Sequence, residues 1–350
     1  LNFDYIIVGQ GIAGSILSYQ LIKQGKTVLV IDYFQNSSSS NIAAGIFNPV
    51  TGRKLVKTWL ADTLFPATEQ TFKELEEFLG SSFYHNKNVY RPFSNIKEQN
   101  DWYAKSEQAD IRPYVIENTD NKYLNDYIQN NFGGSELGLS GNVDVAAFLK
   151  TYKHYLTEKE CIINEIFDFD SLTVSELLIK YKDYSADKII FCEGYKAIYN
   201  PYFNYLPFVL AKGEILTIKI EGCEIDKIIS KGIFILPIGD NTYKVGSTYN
   251  WIDLTELPTD AALKDLTGKL NSLLKVPFTI IDHKAGIRPT VKDRRPFIGM
   301  HPKHNNVGIF NGLGTKGVAL SGYFANHFVE HLLQGKELMA EANINRFEQN

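Results

Sequence analysis

Apolar residues follow two different periods along the chain, and the change from one to the other divides it. Tyr5-Ile6-Ile7-Val8 is continuous and β-favouring, the pattern of a strand buried on both faces of a parallel sheet. Residues 15–24 continue with helical spacing, Gly25-Lys26 makes a turn, and residues 27–31 form a second strand pattern ending at Asp32. The polar residues 35–41, with four consecutive serines, read as a loop. An amphipathic helix is expected over 64–79. Residues 81–140 hold turn signals (Arg91-Pro92, Arg112-Pro113, Gly133-Gly134) and no strong helical period, so short strands and loops are expected there. Asp144 is a natural N-cap for a helix over 145–156. A strand over 161–167 and another buried parallel strand over 188–192, closed by Glu193-Gly194, come next. From 206 to 281 the pattern alternates, as at 214–218, 232–237 and 242–246, which predicts an antiparallel sheet interrupted by one helix over 261–274. The chain ends with a strand over 307–310, a glycine turn at 312–317 and a helix over 318–333. No repeat of solenoid period is present.

Composition adds bounds. At 350 residues, 44% hydrophobic and 22% charged, the chain resembles an ordinary globular protein with room for two domains. A net charge of −4 supplies no general attraction to nucleic acid or anionic membrane, and no apolar run is long enough to span a bilayer. The first residues enter a strand without a basic leader, so a cytoplasmic location is expected. Cys161, Cys192 and Cys223 lack metal-ligand spacing and read as reduced, buried thiols.

Candidate chemistry starts at the first turn. Gly9-Gln10-Gly11-Ile12-Ala13-Gly14 stands between the first strand and the first helix, and Asp32 lies 18 residues beyond Gly14. Gly9 permits the tight turn, Gly11 the approach of backbone to a pyrophosphate, and Gly14 close packing of helix on sheet. The helix N-terminus offers free N–H groups to the phosphates, and Asp32 can accept both hydroxyls of an adenosine ribose. An acid rather than an arginine there favours NAD or FAD over NADP. The second glycine turn, leading into the final helix, favours FAD, because an isoalloxazine gains from a helix N-terminus near the N1–C2=O end of the ring. Fold class is therefore α/β: a Rossmann-like FAD-binding domain built from residues 1–80, 141–205 and 282–350. An antiparallel-sheet substrate domain is inserted, formed by residues 81–140 and 206–281.

The segment Gly286-Ile287-Arg288-Pro289-Thr290-Val291-Lys292-Asp293-Arg294-Arg295-Pro296-Phe297-Ile298-Gly299 resembles the RPxxxDxxPxIG motif of the D-amino-acid oxidase superfamily, most closely its glycine oxidase branch. The first glycine turn, Ala43-Ala44-Gly45-Ile46 and the closing glycine turn occur in the same order as in that family. The resemblance implies an enzyme that oxidises the C–N bond of a small amine or amino acid with FAD, passing electrons to O₂ or another acceptor. It implies pyrophosphate contacts at Gly9, Gly11 and Gly14, and an adenosine ribose at Asp32. Ser40, Ala44, Gly45 and Ile46 would lie along the flavin, Ile166 would meet adenine through its backbone, and Gly314, Thr315, Lys316 and Gly317 would face the pyrimidine ring. Ile12, Ala13, Tyr33, Gly194 and Gly312 complete the implied cofactor-binding set. Arg288 would bind a substrate carboxylate, for which a planar guanidinium with a fork of donors is well suited; pairing with Asp293 is the structural alternative. Related sarcosine oxidases tether flavin through a cysteine near this motif; Gly286 stands at that place here and no cysteine follows Cys223, which implies non-covalent FAD.

Other signals stay open or fall away. Residues 47–54 echo the oxidase domain of a bifunctional tRNA wobble-uridine modification enzyme, so an amine-bearing tRNA base is an alternative substrate. Arg53, Lys54 and Lys57 would then meet phosphate, although nucleic acid is not the favoured partner and a solvated helix face is the plainer use of these charges. A third possibility is a non-catalytic FAD-binding electron-transfer subunit. His327-Phe328-Val329-Glu330-His331 fits a zinc-peptidase pattern, but its helix already follows the glycine turn. The turn at 312–317 lacks the phosphate-loop sequence, Cys192 has no adjacent histidine, and His283 is expected to be structural.

Overall fold

A computed structural model describes residues 1–34, 37–52, 55–117 and 119–347. The strand Asn2–Val8 lies at the centre of the first large sheet. It pairs in parallel with Val28–Asp32 on one side and Tyr184–Phe191 on the other. Ile162–Asn164 extends the parallel order beyond Val28–Asp32. Tyr184–Phe191 is shared: its first half pairs antiparallel with Ile179–Tyr181, and its second half pairs parallel with His304–Asn311. Ile6, Ile7, Val30, Ile189 and Ile190 are almost fully buried, because helices and loops cover both faces.

The helix Ile12–Lys23 covers one face beside the long C-terminal helix Gly317–Gln334 and the helix Ala61–Leu79. The first helix begins three residues earlier than its spacing predicts, since Gly11 already accepts the Ser15 N–H at 2.9 Å. Asp144 caps Val145–Glu158 as expected, accepting from the Ala147 N–H at 3.1 Å.

The second large sheet runs, in spatial order, Thr279–Arg288, Ala211–Lys219, Thr242–Gly246, Phe234–Gly239, Ile228–Ser230, Val89–Pro92, Gly134–Leu137 and Val115–Ile116. All its pairings are antiparallel except Ile228–Ser230 with Val89–Pro92. The helix Asp260–Leu273 packs Leu266 and Leu270 against Leu216, Ile218 and Val245 on the face away from the cavity described below.

Three expectations are corrected. Residues 81–140 contain a real helix, Ile96–Ser106. Asn95 accepts from the Glu98 N–H at 2.9 Å, and Glu98 accepts from the Ser94 N–H at 2.7 Å, a reciprocal arrangement that stabilises a helix whose buried residues are only Trp102 and Ser106. The strand expected over 161–167 covers only Ile162–Asn164, because Glu165 turns away to Tyr181 and Lys182. The serine stretch forms a short helix, Ser39–Ile42, with Ser38 as its cap; Gln35 and Asn36 of the same stretch lie outside the described residues.

Candidate active site

A cavity of about 1460 Å³ opens between the two large sheets, above the ordinary 300–1,000 Å³ of a single small-ligand pocket. Its first wall is the turn after Asn2–Val8. Gly9 has φ +103°, and a Cβ there would lie 2.5 Å from the Cys192 carbonyl oxygen, so no other residue fits. At Gly14 a Cβ would lie 1.9 Å from the Gly9 carbonyl oxygen; this glycine packs helix on strand and does not border the cavity. Gly9, Gly11, Ile12 and Ala13 do border it. The helix N-terminus has no side-chain cap from Gly11, and the Ile12 N–H points to Ser40 Oγ at 3.2 Å. One oxygen of Asp32 accepts from the Gln10 N–H at 2.9 Å, which fixes the carboxylate at the strand end. Burial raises the Asp32 pKa, opposed by that N–H and by Lys196 and Lys153. No described residue hydrogen-bonds its second oxygen. Tyr33 and Gly194 line the same wall, and Gly194 has φ +60°.

The second glycine turn meets the first. A Cβ at Gly317 would lie 3.4 Å from Ile12 Cγ2, so the N-termini of the first and last long helices converge on one space. Gly314, Thr315, Lys316 and Gly317 line it together with Ser40, Ala44, Gly45 and Ile46. Gly45, with φ +69°, passes so close to the strand Gly141–Val143 that a Cβ would lie 1.9 Å from the Val143 carbonyl oxygen. A space with bare helix N-termini, an anchored acid and side-chain-free backbone on both sides fits a dinucleotide extended between the two turns. Two of the implied positions are elsewhere. Ile166 is 66% exposed and is not among the lining residues, although Glu165 before it still donates its N–H to the Asp32 carbonyl at 3.1 Å. Gly312 supports Val291 and Phe297 from behind and does not reach the cavity.

The opposite wall is the second sheet, whose strands alternate between two surroundings. Gly213 and Ile215 face the cavity, while Lys212 and Glu214 face the other way. Arg288, two residues beyond Gly286 on the neighbouring strand, lays its guanidinium across Gly213. A Cβ at Gly213 would lie 1.8 Å from Arg288 Nη2. Tyr249 covers the other side, 4.6 Å from ring centroid to guanidinium carbon, and Nη1 donates to the Thr248 carbonyl at 3.2 Å. Among the described residues no carboxylate pairs with Arg288. Asp293, the alternative partner, is held by Arg346 at 3.3 Å. Phe234 lies over a second glycine, Gly246, and with Ile215, Ile228 and Val89 forms an apolar stretch of this wall, beside Ser230, Ser247 and Lys284.

On the reverse face Lys212 is fully buried, donating to Asp253 at 2.6 Å and to Thr255 at 3.2 Å. Glu214 accepts from Thr259 through N–H and hydroxyl, both at 2.8 Å, and lies 2.9 Å from His283 Nε2. His283 is therefore structural, as expected. This network ties down residues 253–259, the continuation of the loop that carries Tyr249. Sequence patterns gave no hint of Gly213 or Tyr249; the alternation of the strand Ala211–Lys219 was the only available signal.

The remaining signals resolve simply. His327 accepts from the Met339 N–H at 2.9 Å and His331 contacts the Lys336 carbonyl at 2.8 Å; among the described residues no cluster could hold a metal ion. Burial pushes the Cys192 thiol far up, so it is no nucleophile. Lys57 pairs with Asp62, while Arg53 and Lys54 lie outside the described residues. Among the described residues no helix is long and apolar enough to cross a membrane.

A model of the FAD-dependent oxidoreductase family described as DAO matches residues 4–331. The chain is 23% identical to glycine oxidase of Bacillus subtilis over 372 aligned residues, covering 96% of this chain and 94% of the relative. It is also 23% identical to the tRNA 5-methylaminomethyl-2-thiouridine biosynthesis bifunctional protein of Leptospira interrogans, covering 97% of this chain but only 58% of that protein. Among solved structures, glycine oxidase from Geobacillus kaustophilus superposes with a TM-score of 0.78 at 19% identity, over 96% of both chains.

Proposed function

Because the chain belongs to the FAD-dependent oxidoreductase family whose model spans residues 4–331, we propose that it oxidises the C–N bond of a small amino acid or other carboxylate-bearing amine. One observation carries the reading: Arg288 faces the cavity held flat between Gly213 and Tyr249, with no carboxylate among the described residues to neutralise it. A planar cation held in this way is a ready receptor for a substrate carboxylate. The glycine turn at Gly9–Gly11 and the following helix N-terminus would receive the pyrophosphate, Asp32 the ribose, and residues 314–317 the flavin pyrimidine ring. Bound FAD supplies the acceptor for the electron pair and hydrogen that leave the substrate carbon.

The protein's own part is orientation. Two parallel hydrogen bonds from Arg288 fix the carboxylate and thereby the direction of the Cα–H bond. The acids among the described lining residues are Asp32, Glu193 and Glu256, and none lies on the wall formed by the second sheet. Hydride leaves readily only from the uncharged amine, and that wall offers no carboxylate among the described residues to stabilise the ammonium form. The reading includes non-covalent FAD, a cytoplasmic location and O₂ or another acceptor; Cys192, the one described cysteine on the cavity lining, is buried and unreactive.

The test is anaerobic bleaching of the bound flavin across a library of amines and amino acids, in wild type and Arg288→Ala. Carboxylate-bearing amines should bleach it, and the variant should lose them selectively. Equal losses for a carboxylate substrate and a simple amine would refute the assignment. A modified tRNA base is a second reading, supported by the match to the Leptospira protein along 97% of the chain; bleaching by a tRNA bearing a carboxylate-substituted amine, and by no free amino acid, would favour it.

A further inference from the structure

One aromatic residue of the cavity lining, Phe34, has no place in the apolar interior. It is half-buried, yet among the described residues it joins none of the three apolar clusters and stacks on no other ring. Its partner is a cation: the Lys153 ammonium stands 3.1 Å from the ring centroid. Lys153 also lines the cavity, and among the described residues it has no ion pair and no hydrogen bond. Both members of the pair are anchored from outside it. The Phe34 N–H donates to Asn164 Oδ1 at 3.4 Å, at the end of the neighbouring strand. Lys153 belongs to the stripe of the helix Val145–Glu158 that faces the cavity, with Val145 and Leu149 at spacings of four. The Leu149 carbonyl accepts from Gln10 Nε2 at 3.1 Å, and the Gln10 N–H holds Asp32 at 2.9 Å. Helix, glycine turn and acid are thus fixed relative to one another, and the ring is fixed to the helix.

Asp32 would take the adenosine ribose, and Phe34 stands two residues past it, at most about 7 Å along an extended chain. The base of a dinucleotide is joined directly to that ribose, on the side away from the diphosphate. We propose that Phe34 is the platform on which the adenine of FAD stacks, and that Lys153 is a positioning residue holding the ring from its other face. Adenine supplies the flat partner that the ring lacks, and the ammonium keeps the ring in place through cation–π attraction. The backbone contact expected at Ile166 would meet an edge of the base and leave its face to be covered. This inference rests on the placement of FAD proposed above, and not on the identity of the amine.

The test is binding to the full-length chain after its flavin has been removed, read by flavin fluorescence for FAD and FMN and by displacement of FAD for ADP. Phe34→Ala should weaken FAD and ADP alike, by about 5- to 150-fold, the worth of one base stacked on an aromatic ring, and leave FMN unchanged. Phe34→Trp should retain FAD, and ADP should quench the added tryptophan fluorescence, a signal absent from wild type. Lys153→Met should weaken ADP by about 2- to 30-fold in wild type and have no further effect in Phe34→Ala, which separates holding the ring from attracting phosphate. Melting temperatures show that each variant is folded; Phe34→Leu, which keeps bulk without a flat ring, replaces the alanine variant if that one is not. FAD and ADP affinities unchanged in Phe34→Ala, or FMN weakened as much as FAD, overturn the proposal. Asp32→Ala tests the placement itself. If it weakens ADP and Phe34→Ala does not, the placement stands and the platform alone falls; if neither affects ADP, both fall.

Discussion

Gly213→Ala tests the site without touching any group that would contact substrate. A Cβ at this position would lie 1.8 Å from Arg288 Nη2 and 2.1 Å from Cζ, where ordinary contact is 3.4–4 Å. The guanidinium must therefore rise by about 1.5 Å to restore normal contact, a displacement of the size that costs about 10²-fold when it misplaces a reacting group. Tyr249 closes the other side, so the movement breaks either the ring stacking or the hydrogen bond to Thr248. Losing the charge-assisted hydrogen bonds to a carboxylate costs about 1.5–3 kcal/mol, or about 10- to 150-fold in kcat/KM. The backbone itself gives no reason for loss of stability: Gly213 lies within a regular strand, and alanine at a compatible glycine site stabilises by about 0.4–1 kcal/mol. The expected variant keeps its flavin and its melting temperature, loses carboxylate substrates, and handles a simple amine almost as wild type does. Steady-state kinetics on both substrate types, with melting and flavin absorbance as controls, would read this. A Gly213→Ala enzyme within about threefold of wild type on the carboxylate substrate would show that Arg288 does not depend on this slot.

Gly14→Ala forces a Cβ to within 1.9 Å of the Gly9 carbonyl oxygen and 3.2 Å of Cys192 Cβ, so the purified variant should be depleted of flavin, as read from its visible spectrum. Lys212→Met removes a fully buried ammonium from beside the buried Glu214 and the part-exposed Asp253; a loss of about 3–5 kcal/mol in denaturant unfolding is expected, together with weaker substrate binding through the loop that holds Tyr249. Burial pushes Glu193 from 4.5 to about 7, against a hydrogen bond from Asn200 at 2.7 Å. The folded state then keeps a proton that the unfolded chain loses near 4.5, so stability falls as pH rises from about 4.5 to 7 and is flat above. Glu193→Gln should remove this contribution, and melting temperatures at pH 5 and 7.5 should converge relative to wild type.

The parts of this architecture written in local patterns were legible. Continuous apolar strands, glycines at fixed offsets and the capping Asp144 each act within a few residues, and the structure has them where those rules put them. The helix Ile96–Ser106 buries so little that no apolar stripe marks it; its signature is the pair Asn95 and Glu98. Arg288 stood out through its motif, yet the surfaces that hold it come from Gly213 and Tyr249, separated from it by 75 and 39 positions and brought close only by strand pairing. The strand before Ile166 shows the opposite limit. A short strand ended early because Glu165 found Tyr181 and Lys182, a contact that no periodicity encodes.

The interleaving of the first sheet sets the order in which the protein can become functional. Asn2–Val8 leaves the ribosome well before its neighbour Tyr184–Phe191 and that strand's neighbour His304–Asn311. On the proposed reading, a nascent chain carries the residues for the diphosphate well before it gains residues 314–317 for the ring system. On that reading neither half alone holds the whole of the pigment's bed. Colour in the purified protein is therefore a report on assembly of the whole chain.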